Sequence, residues 1–178
     1  MTFHDTKICG VVEVRPEIRG DERGFFARTW CRDEFASHGL NPSLAQCSVS
    51  LNKRKGTLRG MHYQAAPYQE AKLVRCTQGA IYDVALDLRP ESPTFKSWTA
   101  AELNAANRNM LYIPEGCAHG FITLEDESEV FYQISQVYDA TSARGVRWDD
   151  PAFGIVWPER VRVISERDRN YPNFKGMA

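Results

Sequence analysis

The sequence lacks any long apolar run and any surplus of positive charge. A membrane-spanning helix needs about 20 consecutive apolar residues, and no segment of the 178 residues approaches that length. The N-terminal stretch MTFHDTKICGVVEV also lacks the parts of a signal peptide. Lysine and arginine number 22 against 23 aspartate and glutamate, unlike the basic stripe that nucleic-acid backbones require. We therefore expect a cytoplasmic protein whose partners include neither membranes nor nucleic acid.

Paired cysteines are also missing. The five cysteines lie far apart, with no C-x-x-C pair: Cys9, Cys31, Cys47, Cys76 and Cys117. Zinc knuckles and the disulfide frameworks of small secreted domains depend on closer, regular spacings. The spacing argues against both classes, so we expect free cysteines that are buried or half-buried in the fold.

Helical patterns are scarce, whereas short β segments recur along the whole chain. Segments of about 6 to 10 residues, rich in Val, Ile, Tyr, Phe and Thr and separated by turn residues, are typical of an all-β sandwich or barrel. The predicted strands are residues 9–14, 24–30, 45–52, 57–64, 72–79, 80–88, 97–103, 109–114, 119–124, 129–138, 145–148 and 161–165.

Turn residues separate these predicted strands. The first turn is placed at Arg19-Gly20-Asp21, where glycine and aspartate favour a change of direction. One short helix is predicted from Arg32 to His38 and ends at Gly39, a favoured residue just past a helix. No repeat, linker or low-complexity tract interrupts the pattern, so we expect a single domain over residues 1–178.

Strand parity predicts which side chains share a face, because neighbouring residues of a strand point to opposite sides. In AIYDVALDL, Asp83 and Asp87 fall on one face and the larger apolar residues on the other, which predicts a half-buried strand with one polar face. In TLRGMHYQ, the same rule points His62 inward and places Arg59 on the opposite face.

Two histidines, His62 and His119, lie in segments that resemble the metal-binding motifs of cupins, which are small jelly-roll barrels. His119 ends a Pro-x-Gly-x-x-His turn like that of the second cupin motif. The first motif needs two histidines one residue apart, but here the run is His62-Tyr63-Gln64. A catalytic metal usually has three protein ligands, and Glu70 would be a weak third. The sequence therefore disfavours a metal and leaves a proton-transfer base or a hydrogen-bonded core histidine.

Three cations fall on two strands that could line one cavity. They are Arg59, Lys72 and Arg75. Burying such charges without an anionic partner is costly. A cationic cavity in a barrel therefore suggests an anionic small-molecule ligand such as a diphosphate.

Eight sequence blocks stand out along the chain: GDERGFF (20–26), GTLRGMHYQ (56–64), KLVRCTQGAIYDVALDLR (72–89), SPTF (92–95), YIPEGCAHGF (112–121), EVFYQ (129–133), RWDDPAFGIVWP (147–158) and ISERD (164–168). Together these blocks resemble the dTDP-4-dehydrorhamnose 3,5-epimerases, a family of cupins. The resemblance implies a cupin-type jelly roll (double-stranded β-helix) barrel with few short helices, acting as a homodimer without metal or other cofactor. It also implies a nucleotide-diphospho-4-keto-6-deoxy sugar substrate and a place in dTDP-rhamnose and cell-surface polysaccharide biosynthesis.

The resemblance also implies roles for individual residues. His62 matches the family's base, and Asp168 matches the carboxylate that orients it. Lys72 matches the lysine beside the keto oxygen of the sugar, and Tyr132 matches the proton donor on the opposite face. Further matches imply substrate binding by Arg23, Phe26, Gln46, Ser48, Arg59, His119 and Tyr138.

These residue types suit such chemistry. A keto group at C4 acidifies the hydrogens at C3 and C5, so inversion of either carbon needs a base on one face and an acid on the other. A neutral imidazole suits proton abstraction near neutral pH, and a lysine charge stabilises the enolate. Taken singly, each residue has a plainer explanation: Lys72 as a solvated strand end, Tyr132 as core and Asp168 as a surface turn residue.

Several positions depart from the commonest pattern of the family. Arg19 replaces an aromatic residue, Arg28 replaces a glutamate, and the block Gln46-Cys47-Ser48 and the pair Val137-Tyr138 also differ. In the family these segments contact the nucleotide, so the sequence leaves open a dTDP, CDP or GDP sugar and inversion at C3, C5 or both. The alternatives are a mono-epimerase or keto-isomerase, a metal-dependent cupin oxygenase, and a non-catalytic module that binds nucleotide sugars.

Overall fold

The short β segments of the sequence pair into sheets in the computed structural model, which describes residues 1–175. The strands are β1 (Thr2–Asp5), β2 (Val12–Arg15), β3 (Arg19–Asp21), β4 (Gly24–Phe26), β5 (Gln46–Asn52), β6 (Thr57–Gln64), β7 (Lys72–Gln78), β8 (Ala80–Asp87), β9 (Trp98–Asn104), β10 (Met110–Ile113), β11 (Cys117–Thr123), β12 (Ser128–Ile134), β13 (Ala143–Gly145) and β14 (Val163–Ile164). The helices are α1 (Arg32–Ser37) and α2 (Glu166–Arg169). Neither helix is long or apolar enough to cross a membrane.

Two large sheets make up the molecule. Sheet 1 has the order β1-β2-β10-β7-β12-β5, and sheet 2 has the order β13-β6-β11-β8-β9 with β14 added to β6. All of these strand pairs are antiparallel except β14 with β6. Strands β3 and β4 form a separate hairpin. The predicted all-β, cupin-type jelly roll with few short helices is confirmed.

The hydrophobic core joins the two sheets. Val74 and Val130 of sheet 1 pack with Ile81 and Phe121 of sheet 2, and each of these side chains is at most 1% exposed. Burial of one such side chain contributes about 1.5–3 kcal/mol before entropy costs. Phe121 also lines the main cavity of the barrel. The packed core therefore forms the floor of that cavity.

Strand β8 alternates as predicted, but the expected half-buried strand with a polar face is wrong. Both faces are buried, since its side chains contribute to two different core clusters. Asp83 and Asp87 are completely buried. Asp83 contacts His119 (Oδ1 to Nε2, 2.7 Å), and Asp87 accepts hydrogen bonds from Arg89 and two hydroxyl groups. Local donors thus stabilise the buried Asp87 carboxylate, whereas His119 of the neighbouring strand contacts one oxygen of Asp83.

Several element boundaries differ from the sequence prediction. The predicted helix is confirmed to within one residue, and Gly39 adopts the expected positive φ of 71°. The segment Arg19–Asp21 is strand β3 rather than a turn, and the chain reverses direction between Asp21 and Gly24. Strand β13 ends where the predicted strand 145–148 would begin. Strand β1 and helix α2 were not predicted, since both are too short for a clear periodicity.

All five cysteines are free, and their burial is mixed. Cys76 and Cys117 are buried, and burial raises the pKa of the Cys76 thiol to about 11 and that of Cys117 to about 12. Cys31 is half-buried, as expected. Cys9 and Cys47 are exposed, so the expectation of burial is wrong for these two.

Candidate active site

A cavity of about 790 Å³ opens between the two sheets. Strands β5, β7 and β12 supply one wall from sheet 1, and strands β6 and β11 supply the facing wall from sheet 2. Most of the predicted site residues line it: Gln46, Ser48, Arg59, His62, Lys72, His119, Tyr132, Tyr138 and Asp168. Residues far apart in sequence therefore share one site.

Two predicted site residues lie elsewhere in the single chain. Arg23 and Phe26 belong to the β3–β4 hairpin and do not line the cavity. Arg23 pairs with Asp21 in the same hairpin (Nη2 to Oδ2, 2.5 Å), and Phe26 is 73% exposed. A role in binding for these residues stays a prediction that needs a second chain.

The His62 imidazole pairs with the Asp168 carboxylate. Nε2 of His62 lies 2.7 Å from Oδ1 of Asp168, and the Gly60 N–H donates to Oδ2 at 3.3 Å. Burial raises the pKa of Asp168, but the hydrogen bonds from His62 and Gly60 outweigh it, so the pKa lies below its usual value. Asp168 is therefore an anion at neutral pH that fixes one imidazole nitrogen.

Strand β14, the last strand within residues 1–175, brings Asp168 to His62. Strand β14 runs parallel to β6, with Val163 opposite Thr57 and Ile164 opposite Leu58. Ser165 then caps helix α2, because its hydroxyl accepts a hydrogen bond from the Asp168 N–H at 3.1 Å. This short parallel pairing closes the separation of 106 residues between the two side chains.

Arg59 and His62 face the same cavity, so the prediction of opposite faces is wrong. In the pairing of β6 with β11, His62 stands opposite His119 and Arg59 stands opposite Phe121. The register of the two strands shifts between these two pairs. A bulge of this kind changes which side chains share a face. At this bulge, β6 and β11 approach each other closely, since a Cβ at Gly60 would lie 2.5 Å from the Gly120 backbone.

Arg75 does not line the cavity, against the expectation of three clustered cations. Lys72 and Val74 of β7 point inward, whereas Arg75, one residue further along, points outward. Its guanidinium lies 4.9 Å from the centre of the Phe131 ring. Strand alternation separates Arg75 from the site.

Lys72 reaches the cavity as half of an ion pair. Its Nζ lies 2.9 Å from Oε1 of Glu70, and both side chains are only 10% exposed. The same Nζ lies 3.5 Å from the backbone oxygen of His62. Glu70, considered above as a third metal ligand, thus contacts Lys72. Within residues 1–175, no group of three or more His, Cys, Asp or Glu is arranged to hold a metal ion.

Tyr132 lies on the wall opposite His62. It belongs to β12 of sheet 1, whereas His62 belongs to β6 of sheet 2. Burial raises the pKa of the Tyr132 phenol well above its ordinary value, and the charge of Asp83 adds to the rise. The ring packs edge-on against His119, with 6.0 Å between ring centres. A protonated phenol and an imidazole–carboxylate pair therefore stand on facing walls.

Comparison with known proteins identifies the family. The family model described as dTDP-4-dehydrorhamnose 3,5-epimerase matches residues 5–176. The chain belongs to the dTDP-4-dehydrorhamnose 3,5-epimerase family. The enzyme of that name from Sinorhizobium fredii is 41% identical over 175 residues, covering 98% of this chain and 90% of the relative.

A solved structure and a second relative extend the comparison. The Bacillus anthracis dTDP-4-dehydrorhamnose 3,5-epimerase, solved with TDP and PPi bound, has a TM-score of 0.93 at 38% identity, covering 97% of this chain and 99% of that one. A dTDP-4-dehydrorhamnose 3-epimerase of Streptomyces niveus is 39% identical over 171 residues, covering 96% of this chain and 82% of the relative. The predicted enzyme class, an isomerase related to these epimerases, is confirmed.

The epimerase cavity contains one charged residue that the sequence analysis did not name and one to which it gave a different role. Arg167 of α2 lines the cavity beside Asp168, and Glu70, considered as a metal ligand, pairs with Lys72 instead. A signal for α2 was present, since Ser165-x-x-Asp168 has the spacing of a helix start. No sequence signal predicts that Glu70 contacts Lys72 rather than solvent, because Glu70 lies in the loop before β7, where no strand periodicity fixes its direction.

Proposed function

We propose that this epimerase inverts C3 and C5 of dTDP-4-keto-6-deoxyglucose to give dTDP-4-keto-L-rhamnose, without a cofactor. The observation that carries the proposal is the His62–Asp168 pair, 2.7 Å apart, on the cavity wall opposite the protonated Tyr132. A base and an acid on facing walls are what inversion at a carbon requires, because the proton leaves one face and returns to the other.

In the proposed reaction, the two ring nitrogens of His62 have different tasks. Nε2 stays with the Asp168 carboxylate, and Nδ1 takes the proton from C3 or C5 as the C–H bond breaks. The electron pair of that bond moves onto the C4 oxygen as an enolate. The anionic Asp168 stabilises the imidazolium that forms, and the depressed pKa of Asp168 keeps it ionised for this purpose.

Lys72 and Tyr132 complete the proposed cycle. The Lys72 ammonium donates to the enolate oxygen, where fixed positive charge contributes most in a site that excludes water. The Tyr132 hydroxyl then gives its proton to the opposite face of the carbon. The His62 imidazolium then releases its proton to solvent and the Tyr132 phenolate takes one from solvent, so both groups are restored, no net oxidation occurs and no electron acceptor is needed.

The nucleotide part of the substrate would lie among the remaining cavity residues. We propose that Arg59 and Arg167 bind the diphosphate, since both guanidinium groups line the cavity and suit phosphate oxygens. Gln46, Ser48 and His119 offer hydrogen bonds, and the exposed Tyr138 offers a ring for stacking on a base. All four of these residues line the cavity.

We further propose a homodimer in which the β3–β4 hairpin reaches the partner's cavity. The hairpin and strand β5 leave large apolar side chains exposed: Phe25, Phe26, Val49 and Leu51. Exposed apolar patches often mark protein interfaces. Arg23 and Phe26 would then meet the nucleotide of the second chain. A monomeric mass by sedimentation at micromolar concentration would contradict this arrangement.

A second candidate is inversion at C3 alone. The 39% identity to a 3-epimerase supports it, because that value is close to the 41% identity to a 3,5-epimerase. One acid–base pair can serve one carbon or both, so the catalytic residues are common to the two candidates. We also propose that residues 1–178 form one catalytic domain, of which 176–178 lie outside the described residues. The cytoplasmic location stays a prediction.

The deciding experiment follows the sugar protons in deuterated buffer. The protein and a His62→Ala variant are incubated with dTDP-4-keto-6-deoxyglucose, and the C3 and C5 signals are recorded by NMR. Loss of both signals in the wild type and of neither in the variant is expected. Loss of the C3 signal alone identifies the mono-epimerase. If neither carbon exchanges, the same test with CDP- and GDP-linked sugars separates a wrong nucleotide from wrong chemistry.

A further inference from the structure

The C-terminal segment that follows α2 packs beside the wall carrying the His62–Asp168 pair. Tyr171 lies against Gly145 of β13. Further along, the Phe174 N–H donates to Oδ2 of Asp150 at 2.5 Å, and its ring packs 5.1 Å from that of Phe153. Contacts on both sides therefore hold the segment in place.

The Tyr171 ring occupies the space that a side chain at position 145 would need. A Cβ on Gly145 would overlap the ring of Tyr171. Gly145 stands directly opposite His62 in the pairing of β13 with β6. The Tyr171 ring also meets the His62 imidazole edge-on, with 6.3 Å between ring centres and an angle of 66°. Tyr171 thus limits the space into which the imidazole can turn.

The Tyr171 hydroxyl contacts a different part of the site. It accepts a hydrogen bond from Nε of Arg167 at 2.8 Å. The Arg167 guanidinium also lies 5.8 Å from the centre of the Tyr171 ring. Burial raises the pKa of the Tyr171 phenol, so the group stays neutral at physiological pH. Arg167 lines the cavity while Tyr171 does not, which means that Tyr171 acts on the site through other residues.

We propose that Tyr171 is a positioning residue whose ring fixes the His62 imidazole and whose hydroxyl fixes Arg167. The inference rests on the proposed function, in which His62 is the base and Arg167 binds the diphosphate. It assigns the two effects to separate atoms of one side chain. Substitutions that remove the hydroxyl alone, or the whole ring, should therefore change different kinetic constants.

Tyr171→Phe tests the hydroxyl. The ring stays against Gly145, and Arg167 loses its acceptor. We expect KM for the dTDP-sugar to rise about two- to fivefold, which corresponds to one lost hydrogen bond, with kcat unchanged. A fall in kcat with an unchanged KM would contradict the assignment of the hydroxyl to binding.

Tyr171→Ala tests the ring. We expect the same rise in KM together with a fall in kcat of about tenfold, because a base that leaves its productive geometry loses rate steeply. Gly145→Ala is an independent route to the same result, since its methyl group must displace the Tyr171 ring. If both variants keep the wild-type kcat while remaining folded, the ring has no positioning role.

Matched controls come from Tyr68, an exposed tyrosine that does not line the cavity. Tyr68→Phe and Tyr68→Ala are expected to keep both constants. Circular dichroism and the thermal midpoint show whether each variant folds, and Tyr171→Leu replaces Tyr171→Ala if the latter does not. Equal changes in the Tyr68 and Tyr171 variants would overturn the proposal.

A readout without substrate separates this inference from the proposed function. The His62 imidazole signals are followed by NMR as a function of pH in the wild type and in Tyr171→Ala. Broader lines or a second set of imidazole signals in the variant show that the ring has become mobile and support a positioning role, even if the dTDP-sugar proves to be the wrong substrate. A single set of His62 signals with wild-type line widths, displaced only by the loss of the Tyr171 ring current, refutes it, whatever the enzyme does.

Discussion

Two imidazole–carboxylate pairs stand side by side in this barrel and differ in access. His62 with Asp168 and His119 with Asp83 have the same Nε2 to Oδ1 distance of 2.7 Å. The two histidines are opposite each other on β6 and β11. However, the His62 side chain is 39% exposed and that of His119 is 6% exposed. The contact alone does not make a base, because a substrate must also reach the ring.

The carboxylates of the two pairs also differ. Asp168 comes from the short helix α2, and both of its oxygens have partners, His62 and the Gly60 N–H. Asp83 lies within β8 in the core, and its Oδ2 has no hydrogen-bond partner among residues 1–175. We expect the first pair to carry the proton transfer, and the second to support the wall next to Tyr132 while His119 offers a substrate contact but no proton transfer.

The largest expected effect separates the two histidines. His62→Asn should lower kcat roughly 10³-fold, since a positioned general base contributes about 10²–10⁴. His119→Asn should lower it about tenfold at most, because His119 contacts Tyr132 but is shielded from solvent. Deuterium exchange at C3 and C5 measures both variants. Losses of equal size would break the distinction between the pairs.

Substitution of the two aspartates should reveal a split between rate and stability. Asp168→Asn should lower kcat by roughly 10²-fold or more, because an amide no longer stabilises the imidazolium. Asp83→Asn should instead lower the free energy of unfolding by about 1–3 kcal/mol, the cost of disturbing a buried hydrogen bond. Steady-state kinetics and urea unfolding of both variants check the split. Unchanged stability in Asp83→Asn would contradict a structural role for that pair.

A third buried aspartate, Asp87, differs from both pairs because its hydrogen-bond partners are all close to it in sequence. Burial raises the pKa of Asp87, but hydrogen bonds from Arg89, Ser92 and Thr94 outweigh it and lower the pKa to about 2. Because the pKa of Asp87 is lower in the folded than in the unfolded protein, the ionised carboxylate stabilises the fold at any pH above the unfolded-state pKa. That contribution is lost as the pH falls from about 4 to about 2.

The matching variant is Asp87→Asn. The substitution should lower the free energy of unfolding by about 2 kcal/mol at pH 7 and leave kcat unchanged. Between pH 4 and pH 2, the variant should lose less stability than the wild type. Urea unfolding across that range measures the effect. A pH dependence identical to that of the wild type would show that Asp87 is not the group responsible.

The smallest expected effect concerns the ion pair between Lys72 and Glu70. Glu70→Gln should lower kcat about three- to tenfold, because the Lys72 ammonium loses a charged partner that holds its position. Lys72→Met should lower it further, since it removes the charge itself. Glu91→Gln, at an exposed glutamate, is the control. A kcat for Glu70→Gln at or above the wild-type value would show that the carboxylate does not assist Lys72.

Much of the site was predictable from motifs, but its geometry was not. The resemblance implied His62, Lys72, Tyr132 and Asp168, and all four line one cavity. Arg59 was assigned to the wrong face because a regular strand was assumed, and the bulge beside it depends on the partner strand β11. Such a shift leaves no local trace in the sequence.

The amino-acid sequence by itself determined the all-β class, the alternation along β8 and the family. These follow from local patterns, since strand parity acts between adjacent residues and motifs are read within short blocks. Only the tertiary structure decided that β14 lies parallel to β6, that Glu70 holds Lys72, and that Tyr171 packs against Gly145. Those contacts join distant segments or depend on burial, so they arise from the packing of the whole barrel.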